Sequence, residues 1–318
     1  MLPEVTSDEE WARVVRDEAL LRPGLLDLCR RLGLPDAAPV RFADGSVPVY
    51  AVDDAHVLKL FPPASAADGV REARVLERLH GRLPVATPEL LASGTCENGW
   101  RHVLMGRLPG ESLALAWPRI PGPDQDRLVD AAGEVLAALH GLDAGPLADV
   151  LGPPDWTAFV AGQRAKAVRR QREKGLPEEW CAQIDAFLDR HVPSLGGQPA
   201  LLHTEFMREH LLVEGDGDSG SGRDTASARL SGLFDFEPAM IGDPVYDFVA
   251  VGLFVTRADP RLMSRFAKAY GRAVEPCAAM AYTLLHVYSD LPWYLRELPP
   301  SDGVTCLASL AEEWFGAA

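Results

Sequence analysis

Positive charge is what this chain has least of. It carries 31 Lys plus Arg against 46 Asp plus Glu, a formal net charge of −15, and only 4 of the cations are lysines. Nucleic acid and anionic membrane surfaces both demand a basic face to displace counterions, so this balance argues against either partner and favours a cationic small molecule. Long apolar runs are missing too: none approaches the roughly 18 residues of a membrane span. The first residues, Met1 to Trp11, are acidic and lack the basic-then-apolar pattern of a secretion signal, which predicts a cytoplasmic protein. The five cysteines, Cys29, Cys96, Cys181, Cys277 and Cys306, form no CxxC pair and no zinc spacing, and read as buried thiols. A GxGxxG loop is also absent.

The 318 residues suffice for one large or two medium domains. Ser7 and Glu10 spell a capping box ahead of Trp11, Val14 and Val15, and a second helix is predicted over 25–32. The period then changes. Residues 40–42, 47–52 and 56–61 read as an antiparallel three-strand meander, followed by a helix over 68–80 with Val70, Ala73, Leu76 and Leu79 on one face. Strands at 90–93 and 102–105 come next, and Gly106 to Gly110 breaks the pattern. Strands, one helix, two more strands and a Gly/Pro hinge make the order of a kinase-like small lobe. The remainder is mainly helical, with helices predicted over 124–142, 156–174, 177–191, 244–256, 260–270, 277–296 and 304–315. Residues 214–227 are rich in Gly, Ser and Asp and lack the turn glycine and distant Glu of a calcium loop, so they read as a mobile hairpin loop.

Four polar residues, His203, Glu205, His210 and Asp235, interrupt two apolar strands where a core would not tolerate them without partners. Their spacing is that of the phosphoryl-transfer signature His-x-Asp-x-x-x-x-Asn followed by an Asp, with Glu205 in place of the first Asp and His210 in place of the Asn. The longer Glu205 can still orient a hydroxyl, while the imidazole of His210 suits Mn²⁺ better than hard Mg²⁺. Upstream, Lys59 ends an apolar strand, where a phosphate-contacting lysine would stand, and Glu72 on the next helix is its chosen partner. Ser46, in the Gly45 turn, offers a backbone N–H to phosphate oxygens. Met105 and the hinge after it could pair with a nucleobase edge. Asp243 and Asp247 read as caps and braces for the catalytic loop.

These motifs resemble the aminoglycoside phosphotransferase family. The match runs over roughly 40–270, and 57–61 and 281–286 are closest in flavour to the hygromycin B kinases. The resemblance implies an α+β, protein-kinase-like fold of two lobes: a nucleotide-binding lobe over 1–105, with an antiparallel sheet and one helix, and a mainly helical lobe over 106–318 that holds the catalytic loop and the substrate site. It implies ATP or GTP with Mg²⁺ or Mn²⁺, Lys59 and Glu72 as the phosphate pair, and Arg107 and Leu108 as hinge contacts. Glu205, with His203, takes the catalytic position, His210 and Asp235 are the metal positions, and Glu237 and Asp290 face the ammonium groups of the substrate. The function so implied is O-phosphorylation of a cationic, hydroxyl-rich small molecule, an aminoglycoside-type antibiotic (hence antibiotic resistance) or a biosynthetic intermediate. The alternative is a nucleotide-binding pseudokinase or scaffold, left by the changes at Glu205 and His210.

Overall fold

A computed structural model describes residues 1–15, 17–43, 45–193, 198–215 and 228–317. The chain divides into two units, Met1–Pro109 with Leu233–Pro238, and Gly110–Gly232 with Ala239–Ala318.

The first unit opens with α1 (Asp8–Val14) and α2 (Glu18–Arg31). Ser7 caps α1 by accepting from the Glu10 N–H at 3.2 Å. The other half of the expected capping box is redirected: the Glu10 carboxylate takes the Thr6 N–H and hydroxyl, at 2.8 and 2.6 Å, rather than the Ser7 N–H. Helix α2 starts well before the expected residue 25 and contains Pro23. Asp17 caps it, and Leu21, Leu25 and Leu28, three or four residues apart, bury a stripe that outweighs the hydrogen bond Pro23 cannot make. Strands β1 (Val40–Arg41), β2 (Val49–Ala51) and β3 (His56–Phe61), then α3 (Ala66–Leu79), then β4 (Leu90–Thr95) and β5 (Arg101–Gly106) complete the unit. The sheet is antiparallel in the order β1-β2-β3-β5-β4.

Alternation along β3 divides its side chains between two buried faces. Leu58 and Leu60 join Tyr50, Val52 and Leu104 in a core shared with α1 and α2. Full burial of such side chains stabilises by about 1.5–3 kcal/mol each, as an upper bound. The period of two then turns Val57, Lys59 and Phe61 to the opposite face, where α3 packs. Helix α3 comes close because residue 69 is glycine: a Cβ there would stand 2.7 Å from the Phe61 ring.

The second unit contains β6 (Glu111–Ser112), α4 (Leu113–Ala116), α5 (Gly122–His140), α6 (Trp156–Glu173), α7 (Glu178–Cys181), α8 (Ile184–His191), β7 (Ala200–Leu202), β8 (Leu211–Gly215) and all but the last residue of β9 (Ala228–Leu233). After these come β10 (Met240–Gly242), α9 (Phe248–Ala250), α10 (Pro260–Tyr270), α11 (Pro276–Leu285), α12 (Leu291–Glu297) and α13 (Leu307–Phe315). Helices α5 and α10 cross closely at Gly133, where a Cβ would meet the Phe266 carbonyl at 2.7 Å. Strands β7 and β10 pair antiparallel and frame the loop after Leu202.

Three expected helices are interrupted. The 177–191 stretch breaks between α7 and α8. The 244–256 stretch begins as a 3-10 turn, Pro244–Asp247, and ends as a π-helical segment, Val251–Thr256. The 277–296 stretch breaks at His286, and Asp290 starts α12 by accepting from the Trp293 N–H at 3.1 Å. Pro292, which fits only a first helical turn, is the sequence cause. Helix α13 starts at Leu307 rather than 304, capped by Cys306. The expected hairpin loop over 214–227 lies, from 216 on, outside the described residues.

Candidate active site

Lys59 is the centre of the first unit's charge. Its Nζ is buried and lies 3.2 Å from Glu72 Oε2, 2.5 Å from Asp235 Oδ1 and 2.7 Å from Glu237 Oε2. Burial alone would pull the lysine pKa down, but the three carboxylates more than reverse this and hold it well above the usual range. Glu72 is pushed up to about 7, by burial first and by the two neighbouring acids, against the pull of Lys59. The ammonium therefore stays charged, while Glu72 beside it takes up a proton more readily than a free carboxylate. Glu237 does more than pair: its Oε1 accepts from Ser46 Oγ at 2.9 Å, and Arg71 Nη1 donates to its main-chain carbonyl at 2.9 Å. Asp235 sits in the left-handed region with φ of 71°, costly for a residue with a Cβ.

The residues expected at the hinge belong to the same unit. Met105 is buried opposite Val57 in the sheet. The Arg107 N–H donates to the Ala55 carbonyl at 2.7 Å, so that donor is committed to the protein, and the Arg107 guanidinium lies 6.0 Å from the Phe42 ring. Leu108 comes next, half-buried and outside any strand.

In the second unit the loop after β7 is held from behind by one carboxylate. Asp247, fully buried, accepts from the His203 N–H at 2.8 Å and the Thr204 N–H at 2.7 Å, and its Oδ2 lies 3.0 Å from His140 Nε2. His140 Nδ1 in turn lies 2.8 Å from the Tyr270 hydroxyl. Burial would raise the Asp247 pKa, yet the bond to His140 and the loop N–H groups keep it below the ordinary value. This grip holds Thr204 at φ of 75°, a strained value for a β-branched residue. His203 is itself fully buried, with its ring 5.8 Å from that of His210. Glu205 is half-buried. His210 Nδ1 donates to the Glu205 carbonyl at 2.9 Å, which leaves the ring's lone pair on Nε2. Arg208 is buried, donates to the Val255 carbonyl at 2.8 Å and lies 3.5 Å from the Trp117 ring, and burial brings its pKa down to about 10.

The structure thus gathers Lys59, Glu72, Ser46, Asp235 and Glu237 in one cluster and His203, Glu205 and His210 in one loop. Glu237, expected at the ammonium groups of a substrate, stands beside Lys59 with Glu72 and Asp235. Asp290 has both oxygens engaged on this chain, one capping α12 and one 2.9 Å from Lys174 Nζ. Sequence reasoning missed Arg71, His140, Tyr270 and Tyr282, whose hydroxyl donates to Asp243 at 2.8 Å. No local pattern marks them, because their partners lie far along the chain.

A model of the phosphotransferase enzyme family matches residues 40–281, well over half of the chain. The uncharacterized protein YcbJ of Bacillus subtilis (strain 168) is 26% identical over 221 residues, which are 65% of this chain and 64% of that protein, so the chain spans less than two thirds of that relative's length. Among solved structures, the GDP complex of wild-type aminoglycoside 2'-phosphotransferase-IIIa has a TM-score of 0.67 at 17% identity, covering 92% of this chain and 96% of that one. The apoenzyme of macrolide 2'-phosphotransferase MphH from Brachybacterium faecium has a TM-score of 0.61 at 22% identity, covering 92% and 97%. At such identities the structures establish the fold, which is α+β and protein-kinase-like. With its fold and its match across both the Lys59 cluster and the His203 loop, the chain belongs to the phosphotransferase enzyme family.

Proposed function

We propose that this protein transfers the terminal phosphoryl group of ATP or GTP to a hydroxyl of a cationic, hydroxyl-rich small molecule, such as an aminoglycoside-type antibiotic or a biosynthetic intermediate. The observation that carries this reading is the buried Lys59 held by Glu72 beside Asp235. A buried, fully charged ammonium held by a carboxylate beside a second acid is the arrangement that a phosphate-contacting lysine requires. The first unit takes the nucleotide role, with Ser46 at the phosphates and the Met105 to Leu108 stretch at the base. The second unit takes the acceptor role. There the Glu205 carboxylate orients the acceptor hydroxyl and takes its proton, as that oxygen bonds to the terminal phosphorus and displaces the nucleoside diphosphate.

Asp235 offers a hard oxygen and His210 an imidazole nitrogen, a donor set that fits Mn²⁺ at least as well as Mg²⁺. The bound metal would neutralise phosphate charge during transfer. The acidic balance of the chain supports a cationic acceptor, and the solved relatives act, by their names, on aminoglycosides and macrolides. A pseudokinase is the second reading, favoured by Glu205 and His210 standing in place of the usual Asp and Asn.

The test is a transfer assay with ATP and GTP, in Mg²⁺ and Mn²⁺, against a panel of aminoglycosides and macrolides, with calorimetry of nucleotide binding alongside. Phosphorylated product supports the enzyme. Nucleotide binding without transfer to any acceptor supports the pseudokinase, and no nucleotide binding under any metal condition overturns both.

A further inference from the structure

We propose that Glu237 is a selectivity residue: its carboxylate fills the phosphate subsite and yields to a nucleotide that carries divalent cations, not to a bare one. This rests on the nucleotide reading of the Lys59 cluster. Three carboxylates meet one ammonium there. Glu72 is needed to hold the lysine in place and Asp235 suits a cation, so Glu237 is the surplus acid. Its carboxylate makes the contacts an incoming phosphate oxygen would make. One oxygen lies 2.7 Å from Lys59 Nζ, and the other accepts from Ser46 Oγ at 2.9 Å. The side chain is only 17% exposed, so water takes little part in screening it. Its backbone is pinned as well, by the Arg71 bond to its carbonyl, and Arg71 is itself paired with Asp68 at 2.7 Å.

The charge around this subsite decides between two forms of the same ligand. A free nucleotide phosphate chain must evict Glu237 and then sit beside Glu72 and Asp235, near the displaced carboxylate, with one lysine to offset them. Like charges at such separations repel strongly at low effective dielectric. A nucleotide that brings divalent cations meets the same carboxylates as attractions. Glu237 therefore penalises the bare form and leaves the loaded form nearly untouched, which is discrimination by repulsion.

Calorimetry of ADP binding to the full chain, in excess EDTA and in saturating Mg²⁺, tests this with Glu237→Gln, which keeps the shape and removes the charge. The variant is expected to bind ADP at least about tenfold more tightly than the wild type in EDTA, and within about threefold of it in Mg²⁺. Equal or weaker binding in EDTA overturns the proposal. So does a selective loss of Mg²⁺-dependent affinity, which would make Glu237 a metal ligand. Should Glu237→Gln fail to fold, Glu237→Asp keeps the charge and cannot reach both Lys59 and Ser46. It too should tighten binding in EDTA, by less, and unchanged affinity there overturns the idea. ADP binding to neither wild type nor variant in either condition overturns the nucleotide reading itself, an outcome distinct from equal binding by both.

Discussion

The Lys59 cluster and the His203 loop solve the same problem, a buried charge, in opposite ways. In the first unit one cation faces three acids, so charge is balanced only by neighbours that are themselves charged. In the second, the single carboxylate of Asp247 is spent on two backbone N–H groups and an imidazole. The cluster is adjustable, since each partner of the ammonium is a side chain with rotamers of its own. The loop is not, since its backbone has nowhere else to bond. One arrangement leaves its charges on movable side chains and the other fixes a backbone.

The strongest way to break that contrast is to remove the fixed charge. Asp247→Ala leaves the buried His203 and Thr204 N–H groups without Asp247 and strips His140 Nε2 of its partner, and should cost about 4 kcal/mol of stability. Denaturant unfolding of variant and wild type measures it. A loss near 1 kcal/mol would mean that the loop holds its strained shape without Asp247.

Glu205→Gln keeps the side chain's shape and should lower transfer about a hundredfold, about 2.7 kcal/mol in the barrier, with nucleotide affinity little changed. Glu205→Asp should be tolerated or improve transfer, since misplacement by about an ångström costs on this same scale. Steady-state kinetics with one accepted substrate separates the two variants. Full activity in Glu205→Gln would remove Glu205 from the chemistry.

Acidification should push the two units in opposite directions. Glu72 has a folded pKa raised to about 7 from 4.5, so its contribution is complete below 4.5 and fades as pH rises through 7. His286 is fully buried and its folded pKa is brought down to about 4 from 6.5, chiefly by burial, so the unfolded state takes the proton first and stability is lost as pH falls from 6.5 toward 4. Between pH 7 and pH 5 each shift is worth about 2 kcal/mol, stabilising around α3 and destabilising around α11. Hydrogen exchange, corrected for intrinsic rates and resolved by peptide, reads the two units separately. Parallel changes in both would refute the contrast.

How much of the molecule is legible in the sequence depends on how local each signal is. Lys59 stands out because a strand of period two places it opposite Leu58 and Leu60, and Glu205 and His210 because their spacing within one loop is short. The meander and α3 are readable for the same reason. Asp247 can be named as a brace, but its anchor His140 lies 107 residues away, and no periodicity connects them. Glu237 is legible as an acid beside Asp235, whereas its partner is not, because Ser46 is 191 residues distant and the direction of a side chain after a left-handed residue is a property of packing. The break at His286 is marked only downstream, and the π-helical turn from Val251 is hidden because the residues there are apolar enough to continue an α-helix. Capping by Asp290, together with Pro292, decides the first of them.

The smallest expected effect sharpens the comparison at the loop itself. His210 has two possible uses: its Nδ1 pins the loop to the Glu205 carbonyl at 2.9 Å, and its Nε2 lone pair can ligate a metal. If it ligates, an imidazole biases the protein toward Mn²⁺, and His210→Asn, which restores an oxygen donor, should lower the Mn²⁺-to-Mg²⁺ activity ratio about tenfold, or about 1.4 kcal/mol. If it only pins the loop, the same substitution lets Glu205 shift and lowers transfer equally in both metals, with the ratio unchanged. Initial rates in the two metals, at saturating nucleotide, distinguish a change of ratio from a common fall. A common fall would place His210 with Asp247 among the residues that position the loop, and would leave the adjustable charge of this protein entirely in its first unit.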